Sequence, residues 1–173
     1  MRFLKRQEIF NQEFERSESF ADLFELIKSI VRNSIGRERS GLMLAFEELG
    51  VRPNGFVGGF HPVGSNFIVM NKSAARMIKE TLPQMYKAYC FHILLHEYLH
   101  TLGFLDELNT RVVAHLVTKE AFGENHPATY MSSKFHEMLN QMPVGLYSIA
   151  QKQERGGIEI VDDFDSASTN YIG

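Results

Sequence analysis

Apolar residues recur at spacings of three and four along the N-terminal part of the chain, which predicts helices over residues 1–40. The clearest stretch runs from residue 7 to 33, and Ser17 or Ser19 can cap a second segment, so we expect two helices with a break. The phenylalanines of this stripe are interpreted as core packing rather than as a ligand groove.

Between residues 41 and 71 the pattern changes to short apolar runs that glycine and proline separate. Such runs are typical of strands in a small mixed sheet. They cover residues 42–46, 56–60 and 67–70. The first run can also be read as a helix over residues 42–49, and that assignment stays open.

Helical patterns return after the predicted sheet. They cover residues 73–80, 83–103, 107–122 and 129–141. Ser73 and Asp106 can cap the first and the third of these helices. Pro83 fits the first turn of the second, and Gly103 suits the left-handed conformation beyond its end. The order of elements predicts an α+β fold.

The length of 173 residues fits one domain over residues 1–173. We divide this domain into the helical part over residues 1–40, a core over residues 41–142 and a C-terminal extension over residues 143–173. The sequence shows no internal repeat.

Composition argues against several classes of function. The formal charge is −3 and the basic residues are scattered, so no basic stripe can neutralise nucleic-acid phosphates. No apolar run is long enough for a membrane span, and the N-terminus lacks the apolar stretch of a signal peptide, so we expect a cytoplasmic protein without a membrane partner. The single Cys90 excludes an internal disulfide. No feature sets the oligomeric state.

The strongest chemical signal is the sequence His-Glu-Tyr-Leu-His at residues 96–100, near the end of the long apolar helix. Positions four apart share one helix face, so His96 and His100 can direct two imidazoles at one metal ion. Glu97 projects beside that face, where it can take a proton from a metal-bound water. This HExxH pattern is the signature of zinc peptidases, and it predicts Zn²⁺ with Glu97 as the general base.

Catalytic zinc usually takes three protein ligands, so we expect a third beyond Gly103. Asp106 and Glu107 are the candidates there. Asp106 has the spacing of the third ligand in metzincins, and Met131 is then the candidate for their methionine turn beneath the metal. Glu107 opens the next helix, as a helix-borne ligand does in gluzincins. We favour Glu107, because Asp106 can instead cap that helix.

Over about residues 66–122 the chain resembles the small soluble gluzincins called minigluzincins. Residues 66–71 look like their substrate-aligning edge strand, and Asp106-Glu107 looks like the opening of their ligand helix. The gap between His100 and Glu107 is shorter than in most gluzincins, which keeps the metzincin interpretation open. The resemblance implies a zincin-like fold and a metallopeptidase that binds an extended peptide or protein substrate along the edge strand.

Further side chains are candidates for the cleft. His92, one turn before the motif, can contact substrate or pack near the surface. His126 and Tyr130 can reach the cleft and steady an oxyanion. Arg111 can pair with either candidate for the third ligand, or form a plain surface ion pair.

The expected activity is that of a zinc endopeptidase, and two alternatives remain open. In a latent form, Asp162, Asp163 or Asp165 of the C-terminal extension would occupy the position of the metal's water; otherwise the extension packs elsewhere. In the second alternative the chain is a catalytically quiet metal-binding or protein-interaction module of the same fold. The intact Glu97 argues against that module, since a structural zinc needs no general base.

Overall fold

The computed structural model describes residues 2–52, 55–142 and 156–165, and its fold is α+β as predicted. In chain order the elements are α1 (Arg2–Arg16), α2 (Phe20–Ile35), β1 (Met43–Glu47), β2 (Gly59–Phe60), β3 (Phe67–Asn71), α3 (Lys72–Thr81), a 3₁₀ turn (Pro83–Met85), α4 (Tyr86–Thr101), α5 (Glu107–Phe122), α6 (Pro127–Asn140) and β4 (Glu159–Val161).

The predicted break between two N-terminal helices is confirmed. Ser19 caps α2 through a capping box, in which its hydroxyl accepts from the Asp22 backbone N–H and the Asp22 carboxylate accepts from the Ser19 backbone N–H. Phe24 and Ile27 of α2 are fully buried, so the apolar stripe is core packing. In this core, α2 packs on the central helix α4, and α1 packs on α5.

The sheet has the strand order β2-β3-β1-β4 and is mixed. β1 and β3 run parallel, whereas β2 and β4 each pair antiparallel to their neighbours. Residues 43–47 are a strand and not a helix, which decides the open assignment. The prediction that residues 66–71 form an edge strand is wrong, because β2 pairs with β3 and takes the outer position. Among the described residues, the sheet edge on that side is β2.

The predicted cap of α3 also needs correction. Asn71, not Ser73, is the N-cap, and its side-chain oxygen accepts from the backbone N–H groups of Ser73 and Ala74. The Asn71 amide then donates to the carbonyl of Val57 at 2.8 Å. Ser73 lies inside the first turn, where its hydroxyl donates to the carboxylate of Glu48. The side chain of Asn71 thus connects the end of β3 to the segment before β2.

The C-terminal segment packs against the core. β4 adds to the outer side of β1, and Phe164 stacks on Phe24 with ring centroids 4.3 Å apart. The buried Asp165 accepts from the Lys28 ammonium at 2.7 Å and from the Gly41 backbone N–H at 2.8 Å. Asp165 is therefore not available to occupy a metal's water position, and the prediction of a latent form is wrong for this residue.

Asp162 and Asp163 lie along a separate cavity beside Gly41 and Asn66, away from the motif. The rest of the predicted extension, residues 143–155 and 166–173, lies outside the described residues. None of the helices in the described part of the chain is long and apolar enough to cross a membrane.

The Asp165→Asn substitution should destabilise the protein by about 3 kcal/mol, because it leaves the buried Lys28 ammonium without its buried counterion. Glu25 still contacts Lys28 from a half-exposed position. Urea unfolding measures the change, and Asp162→Asn, an exposed acid of the same segment, is the matched control. Equal stabilities of the two variants would contradict the anchoring role of Asp165.

Candidate metal centre

The helix α4 carries the motif through the centre of the molecule. Leu94, Leu95 and Tyr98 are fully buried on the sides of the helix away from the two histidines, so packing fixes the helix in place. His96 and His100 share the remaining face. Their ring centroids are 4.8 Å apart, and their Nε2 atoms are 3.1 Å apart. The four-residue spacing thus brings two imidazole nitrogens to one point, as predicted.

The chain reverses directly after α4 and brings a carboxylate to the same point. Gly103 has φ of +97°, a left-handed conformation that favours glycine. Asp106 then caps α5 by accepting from the Asn109 backbone N–H at 2.7 Å. The carboxylate of Glu107 lies 2.9 Å from the His100 Nε2 and 3.2 Å from the His96 Nε2. Glu107, not Asp106, is the acid that meets the two histidines.

The hydrogen bonding of His100 shows that a cation is needed between its Nε2 atom and the Glu107 carboxylate. Its Nδ1 lies 2.6 Å from the Phe104 carbonyl, and a carbonyl can only accept, so Nδ1 carries the proton. In neutral His100 the Nε2 atom then presents a lone pair to a carboxylate oxygen 2.9 Å away. Two facing acceptors repel each other, so a cation is needed between them: a second ring proton or a metal ion.

A metal ion satisfies this requirement for all three side chains at once. One ligand atom each from His96, His100 and Glu107 lies within 4.8 Å of the others, and the group can hold a metal ion. Tetrahedral zinc with bonds of about 2.0–2.1 Å places its ligand atoms roughly 3.3 Å apart, close to the observed separations. Burial lowers the pKa of His96, which favours the neutral imidazole that a metal needs. The donor set of two nitrogens and one carboxylate fits zinc.

Glu97 lies beside this group in a cleft of about 270 Å³. Its side chain is buried, and burial, with the nearby Glu107 carboxylate, raises the pKa of Glu97 to about 8. A carboxyl group with a pKa near neutrality can both take and release a proton. The cleft is thus equipped for proton transfer next to the candidate metal centre.

The segment before β2 forms one wall of the cleft. Gly58 and Gly59 both pass close to Ile93 of α4, and a side chain at Gly59 would also clash with the backbone of β3. A Cβ on Gly59 would lie 2.7 Å from the Val69 carbonyl oxygen and 3.4 Å from the Glu97 Cγ. The two glycines therefore allow the edge of the sheet to lie directly against the candidate general base.

The helices α5 and α6 supply the opposite wall, which the sequence did not reveal. Ser132 and His136, one turn apart on α6, face the cleft together with Arg111 of α5. The four-residue spacing of Ser132 and His136 places both on one helix face. It does not indicate which element that face packs against. Arg111 makes no ion pair with either acid at the start of α5, so the predicted pairing is not observed.

His92 lies in the same cleft and not near the surface. It is buried, and burial, with the neighbouring His96, lowers the pKa of His92 to about 3. Its Nδ1 has no hydrogen-bond partner among the described residues. A neutral imidazole with a free polar atom therefore borders the cleft, one turn before the first candidate ligand.

Three predicted contributors lie elsewhere. His126 caps α6 and stacks on Phe122 with centroids 4.3 Å apart, so it does not reach the cleft. Tyr130 is exposed and is not among the residues that line the cleft. Met131 is fully buried within α6 rather than in a turn. With Asp106 acting as a cap, the metzincin interpretation loses both of its characteristic residues.

Comparison of the chain with protein-family models, with curated proteins and with solved structures finds no match. The case for a metal centre therefore rests on the geometry of His96, His100 and Glu107 themselves.

We expect the protein to bind about one zinc ion, and the His96→Ala/His100→Ala double variant to bind none. Glu107→Gln should weaken zinc binding at least about tenfold, since it removes the anionic ligand. Asp106→Asn is the matched control, because asparagine keeps the helix cap without the charge. Competitive chelator titration measures all four proteins. A larger loss in Asp106→Asn than in Glu107→Gln would contradict the assignment.

The zinc-free protein should lose stability relative to its Glu97→Gln variant as the pH rises. Folding raises the pKa of Glu97 from 4.5 to about 8. The contribution of this shift to the free energy of unfolding is fully present below pH 4.5 and is lost as the pH rises through 8. We expect Glu97→Gln to gain on the order of 5 kcal/mol over the wild type between pH 4.5 and 9. Urea unfolding in chelator at both pH values measures this, and a pH-independent difference would refute it.

Proposed function

We propose that this protein is a zinc-dependent metallopeptidase of the minigluzincin type. The observation that carries the proposal is the convergence of His96, His100 and Glu107 on one point, with Glu97 beside them in a cleft. A structural zinc site is usually closed by a fourth protein ligand. Here the described residues offer three, and a general base occupies the adjacent space.

The chemistry proposed is hydrolysis of a peptide bond. A zinc ion held by the three side chains would supply a water of lowered pKa and would polarise the substrate carbonyl. Glu97 takes the proton of the attacking water and passes it to the amine that leaves. The buried position of Glu97 suits this role, because a carboxylate short of solvent gains by accepting a proton.

Substrate would bind along β2, the outer strand on the cleft side. An extended peptide can add to a sheet edge through main-chain hydrogen bonds, and the segment 56–59 lines the cleft. A neighbouring cavity of about 770 Å³ shares Phe56, Val57 and His136 with the cleft. The two spaces therefore adjoin, and we propose that the peptide extends from one into the other.

The second candidate function is a catalytically quiet protein-interaction module. One observation favours it: α5 exposes a row of large apolar side chains at helical spacing, namely Leu108, Val112 and Leu116. Such a row suits a protein partner. The residues of the cleft have no role in this alternative, so variants of Glu97 separate the two functions.

The zinc-loaded Glu97→Gln variant should lose activity on a mixed peptide pool by about 10²–10⁴-fold in kcat while keeping its zinc. Loss of the general base removes proton transfer but leaves the three ligands in place. Glu120→Gln, an exposed substitution on α5, is the control and should retain full activity. Mass spectrometry of the pool measures cleavage, and elemental analysis measures zinc.

Two results would count against this function. Cleavage that survives Glu97→Gln would exclude the proposed mechanism. A wild-type protein that is loaded with zinc and cleaves no peptide of the pool would favour the quiet module.

A further inference from the structure

Arg111 is a cation of the cleft, and none of the acids that the structure describes pairs with it. It lies on α5 one turn after Glu107, so the two side chains share a helix face. It borders the cleft together with Glu97 and His136. The side chain of Arg111 makes no hydrogen bond or ion pair with any residue in the described part of the chain. A guanidinium with five donors therefore faces the space that substrate would occupy.

The other polar groups of the cleft do not neutralise this charge. Among the described residues, the carboxylates that line it are Glu97 and Glu107, which the proposed function assigns to the water and to the metal. The remaining polar side chains bring no negative charge; they are His92, His96, Ser132 and His136. Adding a divalent metal at Glu107 would make this end of the cleft more positive still.

The charge of Arg111 affects the pKa values of two histidines that line the cleft. The pKa of His136 is lowered by burial and then by Arg111, and the pKa of His92 is lowered by burial and, among smaller causes, by Arg111. His136 lies on the α6 wall of the cleft, and His92 lies on α4, one turn before His96. The guanidinium therefore acts on the substrate space itself and not only on the outer surface of α5.

We propose that Arg111 is a specificity-determining residue that binds a carboxylate of the peptide substrate, and this rests on the proposed function. A guanidinium matches a carboxylate with two parallel N–H···O bonds, which gives both affinity and orientation. The carboxylate comes either from an acidic side chain close to the scissile bond or from the C-terminus of the peptide. In the second case the enzyme removes residues from the C-terminal end.

The test uses the full-length, zinc-loaded protein and paired peptides that differ only in a carboxylate. One set carries Glu or Gln at successive positions, and another ends in a free acid or an amide. kcat and KM are measured for the wild type, Arg111→Gln and Arg111→Lys. Lys119→Met, which removes a cation two turns further along α5 where it pairs with Glu124, is the matched control.

We expect the wild type to favour the carboxylate member of one pair by about tenfold or more in kcat/KM, mainly through KM. Arg111→Gln should abolish that preference, Arg111→Lys should keep part of it, and Lys119→Met should keep all of it. A preference at an internal Glu identifies the side chain as the source. A preference for the free acid identifies the C-terminus.

Three outcomes would overturn the proposal. The wild type could show no preference within any pair. Arg111→Gln could lower kcat equally for all peptides, which would make Arg111 a stabiliser of the oxyanion. Arg111→Gln could instead weaken zinc binding, which would make it a support for Glu107.

A binding measurement keeps the inference testable without turnover. The same labelled peptides are titrated onto the zinc-loaded Glu97→Gln protein, and fluorescence anisotropy reports their affinity. Carboxylate-dependent binding that disappears in Glu97→Gln/Arg111→Gln supports the role of Arg111 even if the wild type cleaves nothing. In that case the proposed function fails and the recognition of a carboxylate stands. Equal binding of paired peptides contradicts the recognition.

Discussion

The candidate site depends on one hydrogen bond, from the His100 Nδ1 to the Phe104 carbonyl at 2.6 Å. It closes the turn between α4 and α5, and it fixes the ring tautomer that leaves Nε2 free for a metal. The Thr110 hydroxyl of α5, which donates to the Asp106 carbonyl at 2.7 Å, also lies 3.2 Å from the same Phe104 carbonyl. The Phe104 carbonyl therefore lies between His100 of α4 and Thr110 of α5, and it helps to place His100 against the helix that carries Glu107.

The surroundings of α4 explain how such a site is kept rigid. On the far side of the helix, Tyr98 packs edge-to-face on Phe24, and Phe24 stacks on Phe164 of the C-terminal segment. Burial on that side holds the helix still, and the opposite face carries the polar groups. Glu97 and His92 are desolvated as a result, and their pKa values move in the directions that burial dictates. Apolar packing thus offsets the cost of burying the groups that do the chemistry.

Local signals in the sequence indicated the three side chains that could hold a metal ion, but they did not indicate the cleft. Gly103 and Asp106 mark a helix end and a helix start, so the position of Glu107 followed from rules that act within a few residues. The wall on α6 and the edge position of β2 depend on packing between distant segments, which no local pattern encodes. The same holds for Asp165, whose partner Lys28 lies 137 positions away in the chain. Its acidic neighbours suggested a metal-directed tail, whereas a buried cation determines its place.

X-ray absorption at the zinc edge of the zinc-loaded protein tests the central claim most directly. We expect four nitrogen or oxygen ligands at about 2.0–2.1 Å, together with the multiple scattering of two imidazoles. That signal should fall to one imidazole in His100→Ala. A sulfur ligand at about 2.3 Å, which only Cys90 or a methionine can provide, would contradict the account, as would a spectrum without imidazole scattering.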